Sequence, residues 1–234
     1  MLFILILGGV ATANTAYIVP FELKAQAYPA HVELSWVNRT GFQYEIYRSV
    51  NQGKRFDYCG TTTAAYYLDF FGKPVEKEQV FVYRILPKGL SVRSDDAKKF
   101  EVKLTVYPPT DEALLDMTQR YTTRYFYDFA EPISGMARER SNDVNGEIVT
   151  TGGTGFGIMA LIAGTERNYL TRQATYKTIT KIVTFLEKIE RFHGAWAHWY
   201  DARTGKAFSF SKYDDGGDLV ETAFLVQGLL TARE

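Results

Sequence analysis

Apolar and polar positions alternate along the first half of the chain. Within residues 31–37, Val32, Leu34 and Trp36 fall on one face of a predicted strand. Further strand-like runs occur at residues 44–48, 80–85 and 100–106. Turn-forming residues separate the runs, at 38–41, 51–54 and 88–89. Short strands at this spacing predict an antiparallel β-sandwich over residues 17–107.

The second half of the chain changes to helical spacing after Pro108 and Pro109. Thr110 is a plausible N-cap, and the acidic residues that follow it suit the first turn of a helix. Apolar residues then recur at helical intervals as far as Phe129, and Pro132 ends this helix. We predict further helices at residues 155–163, after an N-cap at Thr171, and from residue 219 to the end. Residues 108–234 therefore form a predicted helical domain.

The last predicted helix is apolar on nearly every side. Such a helix needs to be buried on most of its surface. Because little sequence remains to cover it, we expect this chain to be the front portion of a longer protein.

The N-terminus has the pattern of a secretory signal over residues 1–16. Residues 1–10 are apolar, and the small residues Ala11 and Ala13 fit a cleavage pattern. The run is too short for an ordinary membrane-spanning helix. No Lys or Arg precedes it, so a buried first strand or an incorrectly assigned start are the alternatives. The expected location is secreted or periplasmic, with no stable membrane span after processing.

The composition is that of a folded chain and excludes several classes of function. Hydrophobic residues make up 46% and charged residues 23%, and 27 basic residues balance 27 acidic ones. This balance gives no general attraction to nucleic acid. With one Cys and three His, neither an internal disulfide nor a Cys/His zinc site is expected, and we predict no metal and no cofactor. The 16 Tyr, 16 Phe and 3 Trp suit either a carbohydrate site or a large core.

Two candidate carboxylates lie in the segment that follows the first helix. Glu139 stands between Arg138 and Arg140, and two guanidinium groups would favour its ionised form if they stay close. The alternative is a solvated ion pair on a loop. Asp128 lies among aromatic residues, where partial burial would raise its pKa. The alternative for Asp128 is a helix-face acid that points to water.

A second pair of acids opens the last helix. Asp218 and Glu221 have the spacing of an N-terminal capping box, which is also compatible with a site where polar groups converge. In residues 193–200, His193, Trp196 and Trp199 would stack on sugar rings and bind their hydroxyls, or else pack in a core.

The glycine-rich segment at residues 152–157 lacks the Lys and Ser/Thr ending of a phosphate-binding loop. We interpret these glycines as permitting close backbone packing or the approach of a ligand.

Five ordered strings resemble the bacterial "glycoamylase" glycoside hydrolases, a family that includes β-1,2-glucanases. The strings lie at residues 125–130, 134–141, 150–157, 192–196 and 216–223. The resemblance covers about residues 111–234, and residues 17–107 resemble a fibronectin type III module. One departure is Tyr127, where the family usually has Trp. A second is length, since a six-hairpin toroid needs more helices than this chain predicts.

This resemblance implies a β-sandwich followed by the first part of an (α/α)6 toroid. It also implies hydrolysis of β-1,2-linked glucan or sophoro-oligosaccharides, with inversion. An inverting site uses an acid and a base, commonly separated by roughly 6.5–9.5 Å. The substrate is then an oligo- or polysaccharide, and the protein is expected to be a monomer.

The resemblance also suggests roles for the candidates named above. Glu139 and Glu221 become the principal carboxylates, and Asp128 and Asp218 supporting acids. The residues expected to bind or shape the sugar subsites are Arg138, Arg140, His193, Trp196 and Trp199. Two alternatives stay open: a truncated or non-catalytic glycan-binding protein, and a structural or adhesion module.

Overall fold

The computed structural model describes residues 22–37, 41–142 and 146–234. The chain divides into two compact units, with the boundary between Pro109 and Thr110. Antiparallel sheets form the first unit, and helices with a small sheet form the second. The predicted order of β structure followed by helices is therefore confirmed. The predicted signal segment at residues 1–16 lies outside the described residues.

Two antiparallel sheets make up the first unit. Its described strands are β1 (Lys24–Tyr28), β2 (His31–Ser35), β3 (Tyr44–Ser49), β4 (Asp57–Thr62), β5 (Tyr66–Phe70), β6 (Gln79–Pro87) and β7 (Glu101–Val106). One sheet has the order β1-β2-β5 and the other β4-β3-β6-β7, with every pairing antiparallel. A 3-10 helix, Asp95–Phe100, precedes β7.

The alternating pattern of the strands explains the core of this unit. Val32 and Leu34 on β2 are fully buried, and they join one hydrophobic cluster with Ile46 on β3 and Ile85 on β6. Because β2 belongs to one sheet and β3 and β6 to the other, the two sheets pack face to face, as in a β-sandwich.

A buried polar contact also lies in this unit. The hydroxyl of Tyr83 donates to Asp69 at 2.6 Å, and Arg48 pairs with the same carboxylate at 2.8 Å. Burial, followed by the Asp69 charge, raises the pKa of Tyr83. The buried carboxylate of Asp69, on β5, therefore has a hydroxyl and a guanidinium partner, both from the other sheet.

The second unit combines helices with a three-stranded sheet. Its described elements are α1 (Asp111–Tyr127), β8 (Ile148–Thr150), α2 (Thr151–Glu166), α3 (Arg172–Leu186), β9 (Trp199–Asp201), β10 (Ala207–Phe208) and α4 (Leu219–Arg233). The hydroxyls of Thr110 and Thr171 accept the third backbone N–H of α1 and α3, each at 3.2 Å, which confirms both predicted caps. The antiparallel sheet has the order β10-β9-β8.

Helix α2 begins four residues earlier than predicted, at Thr151, and includes the glycine-rich segment. Gly155 lies against the backbone of α4: a Cβ there would be 2.2 Å from the carbonyl oxygen of Phe224. Gly228 of α4 lies equally close to α2, because a Cβ added at Gly228 would be 2.4 Å from the Gly155 carbonyl oxygen. The glycines thus permit direct backbone contact between the two helices, one of the two interpretations of the segment.

The burial of α4 is more one-sided than the pattern predicts. Leu225 and Gly228 are buried against the rest of the unit, whereas Leu219 is 78% and Val220 63% exposed. The side facing α2 is covered, and other apolar side chains of the helix remain at the surface of the described part. None of the described helices has the length and hydropathy needed to cross a membrane.

Candidate functional site

Glu221 lies in the first turn of α4 and reaches the beginning of α2. Its Oε2 accepts a hydrogen bond from the Gly152 backbone N–H at 2.8 Å and lies 3.5 Å from the Thr150 hydroxyl. A carboxylate at this position interacts favourably with the dipole of α2. Gly152 is required for this approach, because a Cβ there would lie 2.5 Å from the same carboxylate oxygen. Glu221 is therefore held in a defined place, with its side chain 16% exposed.

Asp218 caps α4 and also contacts a histidine. Its Oδ1 accepts from the backbone N–H groups of Val220 at 2.9 Å and Glu221 at 3.0 Å. Its Oδ2 lies 3.0 Å from Nδ1 of His198. The predicted capping box is only half formed, because Glu221 bonds to Gly152 and the Asp218 N–H donates to the Trp196 carbonyl at 2.7 Å. Glu221 therefore does not cap α4, and its carboxylate is available to a site at the beginning of α2.

His198 and Trp199 connect the two carboxylate-bearing segments. Their rings stack with centroids 3.6 Å apart and planes 18° apart. Nε2 of His198 lies 3.6 Å from Oε2 of Glu221. Strand pairing fixes this placement, because Trp199 on β9 is paired with Thr150 on β8, the residue just before α2.

Glu139 is bound by Trp199, whose ring stacks on His198. The indole Nε1–H donates to Oε2 of Glu139 at 2.7 Å, and Arg140 contacts Oε1 at 3.3 Å. The backbone N–H of Glu139 donates to the Ile148 carbonyl at 3.0 Å, which ties the segment to β8. Burial, followed by the nearby Glu139 charge, raises the pKa of Tyr125. The structure thus brings Glu139, Asp218 and Glu221 into one connected set through His198 and Trp199, which we call the carboxylate cluster.

Aromatic and cationic side chains adjoin the carboxylate cluster. Phe210 packs edge-on against Trp199, with centroids 4.8 Å apart, and is 51% exposed. The Arg140 guanidinium lies 5.6 Å from the centre of the Phe210 ring. An exposed ring and a guanidinium beside carboxylates match the needs of a sugar subsite, where one face is apolar and hydroxyls project from the edge.

Arg138 does not flank Glu139 as predicted. Its Nε donates to the Phe129 carbonyl at 3.0 Å, and its Nη1 contacts the Gly146 carbonyl. The physical reason is the extended backbone: Arg138 forms a bridge with Val149, and consecutive residues in extended chain point to opposite faces. The guanidinium therefore joins backbone segments, and within the described residues the ion pair of Glu139 is with Arg140 alone, so the condition that both arginines stay close to Glu139 is not met.

Asp128 also departs from its predicted place. It follows the last residue of α1 and pairs with Arg124, four residues earlier, at 2.8 Å. Its side chain is 51% exposed, so it is the helix-face acid of the alternative interpretation. Among the described residues it makes no hydrogen bond to the carboxylate cluster.

Among the described residues, the side chains of His193 and Trp196 make no hydrogen bond to the carboxylate cluster and no ring contact with Trp199 or Phe210. His193 is exposed in a turn and has a φ of 52°. Trp196 packs against the hydrophobic core, with the Arg191 guanidinium 5.4 Å from its ring centre. The core-packing alternative therefore describes Trp196.

His198, and not the predicted His193, contacts the acids, and Phe210 is an additional ring beside them. Both His198 and Phe210 were visible as residue types, but neither had a spacing that distinguished it. Only the pairing of β8 with β9 shows which of the two histidines faces the acids. Across residues 22–37, 41–142 and 146–234, no group of three or more His, Cys, Asp or Glu is arranged to hold a metal ion.

The chain is similar to proteins that act on β-1,2-linked glucans. It is 39% identical, over 225 residues, to an exo β-1,2-glucooligosaccharide sophorohydrolase (non-reducing end) of Parabacteroides distasonis, matching 94% of this chain and 30% of that protein. A crystal structure of a β-1,2-glucanase from the same organism superposes with a TM-score of 0.67 at 40% identity, covering 90% of this chain and 30% of the other.

A second solved structure extends the similarity. It is an endo-β-1,2-glucanase from Chitinophaga pinensis in complex with sophorotriose and glucose, with a TM-score of 0.50 and 46% identity over 53% of this chain and 31% of the other. No protein-family model matches the sequence. These relatives confirm the resemblance to β-1,2-glucan hydrolases, and the chain spans about 30% of their length.

Proposed function

We propose that the whole protein containing this chain hydrolyses β-1,2-linked glucan or sophoro-oligosaccharides. The observation that carries the proposal is the carboxylate cluster: Glu139 and Glu221, 82 positions apart in the sequence, are joined through two stacked rings. Similarity to a sophorohydrolase and to an endo-β-1,2-glucanase supports the choice of linkage.

Two carboxyl groups can perform the reaction without a cofactor. One protonates the oxygen of the glycosidic bond as that bond to the anomeric carbon breaks. The other takes a proton from the water that attacks this carbon from the opposite face, and the product has inverted configuration. Glu139 and Glu221 fill these two roles in our proposal, and Asp218 supports Glu221 by fixing the first turn of α4.

The rings and the guanidinium beside the carboxylate cluster form the proposed sugar subsite. Trp199 and Phe210 offer apolar ring surface, and Arg140 offers donors for hydroxyl groups. Because the Trp199 N–H is already bonded to Glu139, this indole would both orient the acid and contact the sugar.

The architecture beyond this chain is part of the same proposal. Exposed apolar residues such as Leu219 and Val220 suit a helix covered by further helices, as in an (α/α)6 toroid. The relatives are more than three times as long as the segment they share with this chain, which leaves room for those helices. Export to the periplasm or the exterior and a monomeric state complete the proposal.

The test is hydrolysis of linear β-1,2-glucan and sophoro-oligosaccharides by the whole protein. We expect Glu139→Gln and Glu221→Gln each to reduce kcat by about 10²–10⁴-fold, the usual contribution of a general acid or base. Glu112→Gln is the matched control, since this acid is 82% exposed on α1 and should leave kcat unchanged. Proton NMR of the first product shows whether the anomeric configuration inverts.

The outcomes separate the proposal from its alternative. Binding of β-1,2-glucan by the wild-type protein without any hydrolysis would support the non-catalytic glycan-binding protein. Full activity in both glutamine variants would refute the assignment of these carboxylates. The general-acid variant should retain hydrolysis of a sophoroside whose leaving group needs no protonation, which tells the acid from the base.

A further inference from the structure

We infer that His198 is a positioning residue that holds both principal carboxylates of the proposed hydrolase. It does so by placing Nε2 against the Glu221 carboxylate and by stacking on the indole ring that donates to Glu139. The expected effect on catalysis rests on the proposed function. The positioning itself rests only on the contacts of the His198 ring.

Asp218 determines which nitrogen of His198 carries the proton. Its Oδ2 lies 3.0 Å from Nδ1, while its Oδ1 already accepts two backbone N–H groups of α4. An ionised carboxylate only accepts hydrogen bonds, so Nδ1 must be the donor in this contact. In the neutral ring, Nε2 then carries a lone pair.

That lone pair faces Glu221. The separation of 3.6 Å between Nε2 and Oε2 is slightly longer than a hydrogen bond. Two acceptors at this distance repel when His198 is neutral and Glu221 is ionised. The pair is favourable when one proton lies between them, either on Nε2 or on Oε2. The contact with Oε2 of Glu221 therefore fixes the edge of the His198 ring that the contact with Asp218 leaves open.

The ring face of His198 has a separate contact. It stacks on Trp199 at 3.6 Å between centroids, and Trp199 donates to Glu139 at 2.7 Å. Among the described residues, the charged or titratable groups on the ring are Asp218 and Glu221 from α4, with Glu139 and its partner Arg140 beyond the indole. One side chain thus connects the acids of two separate segments.

Three substitutions separate these contacts. His198→Phe keeps an aromatic ring and removes both nitrogens, His198→Asn places an amide near the Nδ1 position, and His198→Gln places one near Nε2. His193→Asn is the matched control: His193 is exposed, and Asn tolerates its φ of 52°.

In the whole protein, we expect His198→Phe to lower kcat by up to about 100-fold, the cost of a small misplacement of a reacting group. KM should change little, and the pH profile of kcat should differ from that of the wild type because a polar neighbour of Glu221 has been removed. His198→Gln should recover part of kcat because its amide can donate to Glu221. His193→Asn should match the wild type. A wild-type kcat and pH profile in His198→Phe would overturn the inference even though the enzyme is active.

A second measurement does not depend on hydrolysis. Nitrogen-15 NMR of the imidazoles should show His198 with Nδ1 protonated in its neutral form, and Glu221→Gln should shift the Nε2 signal. Protonation at Nε2, or no response to Glu221→Gln, would overturn the inference. Absence of hydrolysis by the wild type would instead refute the proposed function alone.

Discussion

The close contact of α2 and α4 predicts a large cost for one methyl group at Gly155. A Cβ at this position would lie 2.2 Å from the carbonyl oxygen of Phe224 and 2.7 Å from the Cα of Leu225. Both atoms belong to the backbone, so no rotation of a side chain can relieve the overlap. The two helices would have to separate by roughly 1 Å to restore an ordinary contact.

The magnitude follows from two opposing contributions. Replacing Gly by Ala within a helix stabilises it by about 0.5–1 kcal/mol. Overpacking a close interface costs about 1–3 kcal/mol and occasionally more. Separation of the helices would also loosen the core around Leu225 and Ile158, both of which are fully buried. Because the overlapping atoms belong to the backbone, the overpacking cost should lie near its upper end of about 3 kcal/mol. Less the gain in helix propensity of about 0.5–1 kcal/mol, Gly155→Ala should lower the free energy of unfolding by about 2 kcal/mol.

The assay is urea unfolding followed by helix ellipticity, with the midpoint and slope fitted separately. A lower midpoint at constant slope would show a loss of stability without a change in compactness. Gly216→Ala is the matched control, because a Cβ there has open space, and its effect should stay within about 0.5 kcal/mol. Gly228→Ala should destabilise like Gly155→Ala, and the double variant should cost less than their sum because they share one contact. A Gly155→Ala protein as stable as the wild type would refute the backbone contact.

Three further substitutions test the site and the sandwich. Gly152→Ala should displace the flexible side chain of Glu221 with little loss of stability. The displacement should reduce kcat of the whole protein by about 100-fold, and an unchanged kcat would contradict the contact. Trp199→Phe removes the donor to Glu139, and loss of a charged hydrogen bond worth about 1.5–3 kcal/mol predicts a fall in kcat/KM of about 10- to 100-fold, measured on sophoro-oligosaccharides. Tyr83→Phe leaves the buried carboxylate of Asp69 without its hydroxyl partner and should lower the free energy of unfolding of the sandwich by about 1.5–3 kcal/mol. Trp fluorescence during unfolding measures the change, and a smaller shift of the midpoint than in Gly216→Ala would refute this prediction.

The strands that alternate in sequence are those that the structure buries on one face. Residues 31–37 predicted β2, which buries alternate residues in the core between the two sheets. Strand β6 differs, because its residues 81–87 are all buried, on both faces, and it was predicted from its apolar and aromatic content. The weaker strand β4 escaped prediction: it contains Gly60, lies at the edge of its sheet and buries no residue fully. An edge strand with little buried surface carries little periodic signal.

The N-terminal ends of three helices could also be predicted, because a helix cap depends only on residues close to it in the sequence. Thr110, Thr171 and Asp218 each accept hydrogen bonds from the first turn that follows them, as their residue types predicted. The start of α2 was misplaced because four of its first seven residues are glycine, which has low helix propensity. Contact with α4 outweighs that propensity, and this contact is not local.

The sequence by itself determined the strand-rich and helical halves, the helix caps and the resemblance to glucan hydrolases, and it singled out Glu139 and Glu221 as candidate carboxylates. Tertiary structure decided which of these residues meet. It turned Arg138 away from Glu139, left Asp128 on a helix face, and chose His198 over His193. The physical reason is that periodicity and capping depend on neighbours within a few residues. The carboxylate cluster depends instead on the pairing of β8 with β9 and on the glycine contact between α2 and α4.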